Sequence, residues 1–180
     1  KERILAALND PSQAGKIIDF GAPFYFWPHE ALFSVGASPA ALDLMRERYS
    51  RFSRSPDGGD TFWEEDSYLL GGHTWGARYR SLAQNGSGSP AWFLLTEILG
   101  VKAIKPGFAE FTVEPKPCDL DWAKGVIPSP KGDIPVSWRS ENGRFTLEIT
   151  IPDGTRAHVR LPAEDTVRAL GPGKHRLEAR

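Results

Sequence analysis

The spacing of apolar residues changes once along this chain, at about residue 106, and that change restricts the folds open to it. Before it, apolar side chains recur at the three-to-four-residue period of a helix. After it they alternate with polar ones, the period of a strand with one buried face. Helices first and strands after segregate into separate parts, so the chain reads as α+β, divided into residues 1–105 and 106–180.

In the first part, Ile4, Leu5 and Leu8 make a short stripe that stops at Asn9-Asp10-Pro11. Pro28 to Val35 reads as a helix closed by Gly36, which can take the left-handed conformation at a helix end. Ser38 as N-cap and Pro39 at the first helical position open a helix running to about Phe52. Its Leu42, Met45, Tyr49 and Phe52 share one face, and Asp43, Arg46 and Glu47 face away. A third helix starts at Ser89-Pro90 and ends at Gly100. Trp92, Phe93, Leu94, Leu95, Ile98 and Leu99 make it apolar nearly all round, so it is expected to be buried on several sides. Between these two helices residues 57–88 form a Gly-rich stretch, of a length that compact domains mostly keep for function.

In the second part, Ala109, Phe111 and Val113, then Ile134, Val136 and Trp138, then Phe145, Leu147, Ile149 and Ile151, then Ala157, Val159 and Leu161 occupy alternate positions. Asn142-Gly143 and Asp153-Gly154 read as hairpin turns, and Pro172-Gly173 marks another turn. Short half-buried strands at such spacing suggest an antiparallel sandwich. With its apolar residues turned inward, it is expected to be a packing layer without a sugar site, burying Phe111, Trp138 and Phe145.

A net charge of −1 gives no electrostatic case for nucleic acid or an acidic membrane surface as partner. The one cysteine, Cys118, excludes an intrachain disulfide and a multi-cysteine metal site. His29, His73, His158 and His175 show no HxH or HExxH spacing, so no metal and no cofactor is implied. No apolar run reaches the ~20 residues of a membrane span. Cytoplasmic and secreted settings both suit this composition. The chain begins at Lys1, without methionine and inside a helical pattern, and we expect a piece of a longer protein.

The chemistry sits in the middle of the chain, where Gly59 to Leu69 place Glu64, Glu65 and Asp66 beside Trp63. A carboxylate can move protons or activate water, and an indole can stack on the apolar face of a pyranose. The bland alternative is a solvated turn with ordinary surface acids. Trp63 fits a core anchor as well as a pocket wall. His29 beside Glu30 fits a satisfied structural histidine better than one aimed at a site.

The order of these features resembles the C-terminal end of bacterial α-L-rhamnosidases of glycoside hydrolase family 78. Ala31-Leu32 to Gly36, Ala41-Leu42-Asp43 and Arg46-Glu-Arg-Tyr49 are similar to the family's late barrel helices. Thr61-Phe-Trp-Glu64 is similar to its T-x-W-E loop, and Ser87-Gly-Ser-Pro90 with Ile98-Leu-Gly-Val101 to its last helix. Pro106-Gly-Phe108, Phe111 and Glu114-Pro115 resemble the crossing into its sandwich. Trp122-Ala-Lys-Gly125, Pro128-Ser-Pro-Lys-Gly132, Val136-Ser-Trp138 and Ile151-Pro-Asp-Gly-Thr155 resemble its strands and turns. The resemblance covers nearly the whole chain. It implies the late helices of an (α/α) toroid of the six-hairpin glycosidase type, followed by a C-terminal antiparallel β-sandwich.

It also implies inverting hydrolysis of a terminal α-L-rhamnoside or another glycoside by two acids, with Glu64 as general base. The general acid would lie in barrel residues absent from this chain. The chain alone is then expected to be inactive, and to need the rest of the barrel or to self-associate. Trp63, Glu65 and Gln84 become candidate substrate contacts, Gln84 standing where relatives carry histidine in S-L-C-H-x-W-S-G-S-P. Gly86 stands where they carry tryptophan, and His73 and Trp75 are candidates to replace the two lost side chains. The rival readings are a non-catalytic carbohydrate-binding or structural module, and a degenerate family member that has lost activity.

Overall fold

The structure, a computed structural model, describes residues 22–54, 61–64 and 83–179, the side chains of 22 and 51–54 excepted. It divides into two compact units, Lys1–Pro90 and Ala91–Arg180, a boundary that falls ahead of the change of period. The stripe of Ile4, Leu5 and Leu8, the side chain of Phe52 and most of the Gly-rich stretch lie outside the described residues.

In the first unit a 3-10 turn, Ala22–Tyr25, leads into α1, Phe26–Ser34, and α2 follows at Ser38–Arg54. Gly36 closes α1 as expected. At φ 76° it lets its own N–H reach the Phe33 carbonyl and the Ala37 N–H reach the Leu32 carbonyl. That pair of bonds is a Schellman motif, which satisfies the last carbonyls of the helix. Leu42, Met45 and Tyr49 are buried and Asp43, Arg46 and Glu47 are exposed, as the period of α2 requires. A second 3-10 turn, Asn85–Gly88, opens α3, Ser89–Phe93, which crosses the unit boundary, and the π turn over Leu94–Ile98 that follows belongs to the second unit. Phe93, Ile98 and Leu99 are buried there, but Trp92 and Leu94 are exposed, so the expected burial on several sides holds for only part of this helix. The described residues contain no closed ring of helices.

The second unit carries eight strands in two four-stranded sheets. They are β1 Val101–Ala103, β2 Glu110–Val113, β3 Trp122–Ile127, β4 Ile134–Glu141, β5 Arg144–Ile151, β6 Arg156–Val159, β7 Arg168–Leu170 and β8 Gly173–Ala179. One sheet has the order β1-β2-β6-β7 and the other β3-β4-β5-β8. The alternation read from the sequence is the burial pattern observed. Phe111, Val113, Ala157 and Val159 of one sheet, and Ile134, Val136, Trp138, Phe145, Leu147, Ile149 and Ile151 of the other, are all buried. Each sheet buries one face, and within one unit the two buried faces form a common core. Trp138 stacks on Phe145 at 5.6 Å and donates its Nε1–H to the Ile98 carbonyl at 2.9 Å, which ties the π turn to the core.

Two expectations about the strands are corrected. The sandwich is not purely antiparallel, because β2 and β6 pair in parallel. Parallel neighbours need a crossover, and here the β3–β5 meander of the opposite sheet supplies it. Of the three turns expected from the sequence, only Asn142-Gly143 closes a hairpin. Its φ values of 51° and 73° are both positive, as a two-residue turn matched to strand twist requires. Asp153-Gly154 and Pro172-Gly173 instead carry the chain from one sheet to the other.

A buried ion cluster fixes the helix exit. The Glu97 side chain is 7% exposed and pairs with Lys102 Nζ and, at 2.5 Å, with Lys116 Nζ. One lysine lies on β1 and the other beyond β2, so a single carboxylate holds both ends of that hairpin. Removing both lysines (Lys102→Met with Lys116→Met) leaves a buried charge uncompensated and is expected to cost about 3 kcal/mol in urea unfolding. Either single replacement leaves one cation in place and is expected to cost about 1 kcal/mol.

Candidate active site

The candidate site is built on Thr61–Glu64, which runs beside the turn at residues 84–88. The backbone N–H of Gln84 donates to the Phe62 carbonyl at 2.8 Å. Along this short segment Thr61 and Phe62 are exposed. Trp63 is buried, at 3% exposure, Phe62 lies edge-on to Tyr49 at 5.8 Å, and Glu64 is half-buried. A half-buried carboxylate on a segment anchored by a buried indole is held in place yet still reachable from solvent, as proton transfer to water requires.

Gln84 is extended, with φ −110° and ψ 120°, and its Oε1 accepts the Gly86 N–H at 3.2 Å. That bond caps the Asn85–Gly88 turn, so one end of the amide is committed to local structure. Gly86 sits against Pro23, where a Cβ would come within 2.9 Å of the proline Cβ and 3.3 Å of its carbonyl oxygen. The volume that a side chain at residue 86 would need is therefore occupied by proline. Ser87 is fully buried beside it, and among the described residues its hydroxyl has no hydrogen-bond partner. Sequence reasoning passed over Ser87, and only its burial singles it out. Glu65, His73 and Trp75 lie outside the described residues, so of the expected site residues the structure describes the candidate base Glu64 and the candidate substrate contacts Trp63 and Gln84, on two segments joined by the hydrogen bond from Gln84 to Phe62.

His29 is fully buried in α1. Its Nδ1–H donates to the Tyr25 carbonyl at 2.5 Å, and its ring sits 6.4 Å from Tyr25 and 6.1 Å from Tyr49. Desolvation outweighs the backbone hydrogen bond, which favours the charged form, and lowers its pKa to about 4. The folded state therefore keeps His29 neutral, while the unfolded chain takes up a proton below about pH 6.5. Stability from this group is complete above pH 6.5 and is lost as pH falls towards 4, by about 3 kcal/mol in all. His29→Gln is expected to flatten the Tm profile between pH 4 and 6.5. A slope equal to that of the wild type would count against this assignment.

His158 and His175 lie in the second unit, His158 3.2 Å from Glu110 and His175 bonded to the Gly171 carbonyl. Among the described residues no group of three or more His, Cys, Asp and Glu side chains could hold a metal. No helix among them is long and apolar enough to cross a membrane.

A sequence profile described as the bacterial alpha-L-rhamnosidase C-terminal domain matches residues 100–176. An alpha-L-rhamnosidase of Alteromonas sp. (strain LOR) is 33% identical over 150 residues, which span 81% of this chain. Residues 100–176 belong to the bacterial α-L-rhamnosidase C-terminal domain family. Solved rhamnosidases agree with the fold. The GH78 family rhamnosidase of Bacillus sp. GL1 is 35% identical, with a TM-score of 0.69 over 79% of this chain and 15% of its own. The α-L-rhamnosidase of Aspergillus terreus is 26% identical, with a TM-score of 0.73 over 84% of this chain and 18% of its own. The chain spans 16% of the length of the Alteromonas relative, so most of a family member's length lies outside the residues compared.

Proposed function

We propose that this chain is the C-terminal part of a glycoside hydrolase that removes terminal α-L-rhamnosyl groups with inversion, and that Glu64 is its general base. The observation that carries the proposal is the setting of Glu64: a half-buried carboxylate next to the buried Trp63, on a segment hydrogen-bonded to the Gln84 turn. Residues 1–105 are read as the last helices of an (α/α) toroid and 106–180 as the sandwich that follows it. Trp63 anchors the segment. Glu65, His73, Trp75 and the free amino end of Gln84 are read as lining the sugar. The partner acid lies upstream, roughly 6.5–9.5 Å across the scissile bond from Glu64 when the barrel is complete. Inversion is tested by NMR of the first-formed sugar when the full-length protein hydrolyses an aryl α-L-rhamnoside. β-L-rhamnose should appear first. Initial α-L-rhamnose would exclude a single displacement by base-activated water.

One observation favours the degenerate-member reading: Gly86 packs on Pro23, leaving no room for the tryptophan of relatives. Full-length protein that binds L-rhamnose without turning over aryl rhamnosides would decide for it. Residues 1–180 alone are expected to be inactive and to associate, since Trp92 and Leu94 on the last helix and Phe24 and Trp27 near α1 are exposed. Light scattering together with aryl glycoside assays of that fragment checks this. A monomer that turns over substrate would overturn the assignment of the acid to another part of the protein.

A further inference from the structure

The outer face of the β3-β4-β5-β8 sheet is unlike a plain solvated face. Strand register sets its side chains in rows, with Trp122 opposite Arg139, Lys124 opposite Ser137, and Ser137 in turn opposite Glu148. Two open depressions of about 340 and 820 Å³ lie on this face and share Lys124, Ser137, Glu148 and Arg176. Together they form one groove across all four strands, with Trp122 at one end and Lys174 at the other. Trp122 is 54% exposed, an open indole on an edge strand of the sheet. The sequence reading had expected no stacking platform in this unit.

The charges on the face do not balance. Glu141, Glu148 and Glu178 are each taken by an arginine: Arg139 on Glu141 at 2.6 Å, Arg176 on Glu148 at 3.0 Å, and Arg144 on Glu178. Lys124 and Lys174 line the groove with no carboxylate in ion-pair range among the described residues. Two uncompensated cations thus stand on one face of a chain whose net charge is −1. A protein partner would want an apolar centre, and the groove offers little beyond Trp122 and Val126. A nucleic acid would want a denser run of cations. An acidic sugar chain fits all three features. The indole offers a stacking face, Ser137, Thr146 and Thr150 offer hydroxyls, and the two lysines can reach carboxylate or sulfate groups on long flexible stems.

We propose that this face binds an anionic polysaccharide and gives the enzyme a polymer contact additional to its hydrolytic site. The choice of a sugar polymer rests on the glycosidase reading. The test is affinity gel electrophoresis of the full-length protein through gels containing polygalacturonate, its methyl-esterified form or polyglutamate. Polygalacturonate is expected to retard the protein, with binding about tenfold weaker for Trp122→Ala and for Lys124→Ala with Lys174→Ala. The esterified polymer and polyglutamate should each bind at least about tenfold more weakly than polygalacturonate. Equal retardation by polyglutamate would reduce the groove to an ion-exchange surface and overturn the proposal. So would no retardation, or retardation that both variants retain. Aryl rhamnoside turnover, measured in parallel, is expected to be unchanged in these variants. Retardation without turnover would sink the hydrolase assignment and leave the groove standing, and turnover without retardation would do the reverse.

Discussion

Gly100→Ala is expected to unfold the strand-rich unit at temperatures where the unaltered protein stays intact. Gly100 ends the π turn at φ 81°, a left-handed conformation that costs an L-residue about 1–2 kcal/mol. A Cβ there would also overlap the carbonyl group of Glu114 and come within 2.5 Å of the Pro115 nitrogen. Those are backbone atoms and cannot turn aside as a side chain can. The Gly100 carbonyl accepts the Glu114 N–H at 2.9 Å, and Val101 pairs with Val113 in the next step of the ladder. Relief of the overlap would therefore break the β1–β2 pairing. The summed cost is on the order of 4 kcal/mol, a drop in Tm of roughly 15 °C or more for a unit of this size. Gly143→Ala is the control. Gly143 has φ 73° with nothing within 4 Å of an added Cβ, so only the conformational cost applies. Equal losses in the two variants, read by circular dichroism melting, would show that the close approach to Glu114 has no energetic weight.

That glycine marks where sequence reading stops. Its role as a helix end is visible in Ile98-Leu-Gly-Val101, because helix stops are local. The carbonyl that excludes a methyl group belongs to the far end of a hairpin, and no local pattern announces it. The same division runs through the fold. Gly36 and Asn142-Gly143 are legible because each needs only its own positive φ and its immediate neighbours. The buried faces of β4 and β5 are legible because alternation of period two decides which side chains face inward. Which strands become neighbours is decided by packing between distant segments. The parallel β2–β6 pair, and the turns that pass between sheets, could not be read from Asp153-Gly154 or Pro172-Gly173 alone. The candidate site divides likewise. Glu64 stands out because three acids in a row, Glu64, Glu65 and Asp66, are costly to hold together. The hydrogen bond from Gln84 to Phe62, the use of the Gln84 side chain as a cap and the proline filling the space at Gly86 are long-range facts. The exposure of Trp122 is likewise a matter of topology: its strand lies at a sheet edge and the alternation turns it outward.

Glu64→Gln in the full-length enzyme is expected to lower kcat on an aryl α-L-rhamnoside by about 100-fold to 10,000-fold. The amide keeps the size of the carboxylate, so the half-buried position beside Trp63 should tolerate it and KM should change little. What it loses is the ability to accept a proton from the attacking water. That loss should fall on the chemical step alone, lowering kcat and kcat/KM together. A general base must be ionised to act, so the acidic limb of the unaltered enzyme's pH–rate profile should report its titration and vanish in the variant. A small external nucleophile such as azide needs no deprotonation, so it should partly restore turnover in Glu64→Gln while adding little to the unaltered enzyme. Trp63→Phe provides the comparison for a positioning role. It should disturb the anchor without removing the carboxylate, giving a smaller loss that azide does not rescue. If Glu64→Gln keeps kcat within about threefold of the unaltered enzyme, outside the range for a lost general base, Glu64 is not the base and Glu65 becomes the residue to replace.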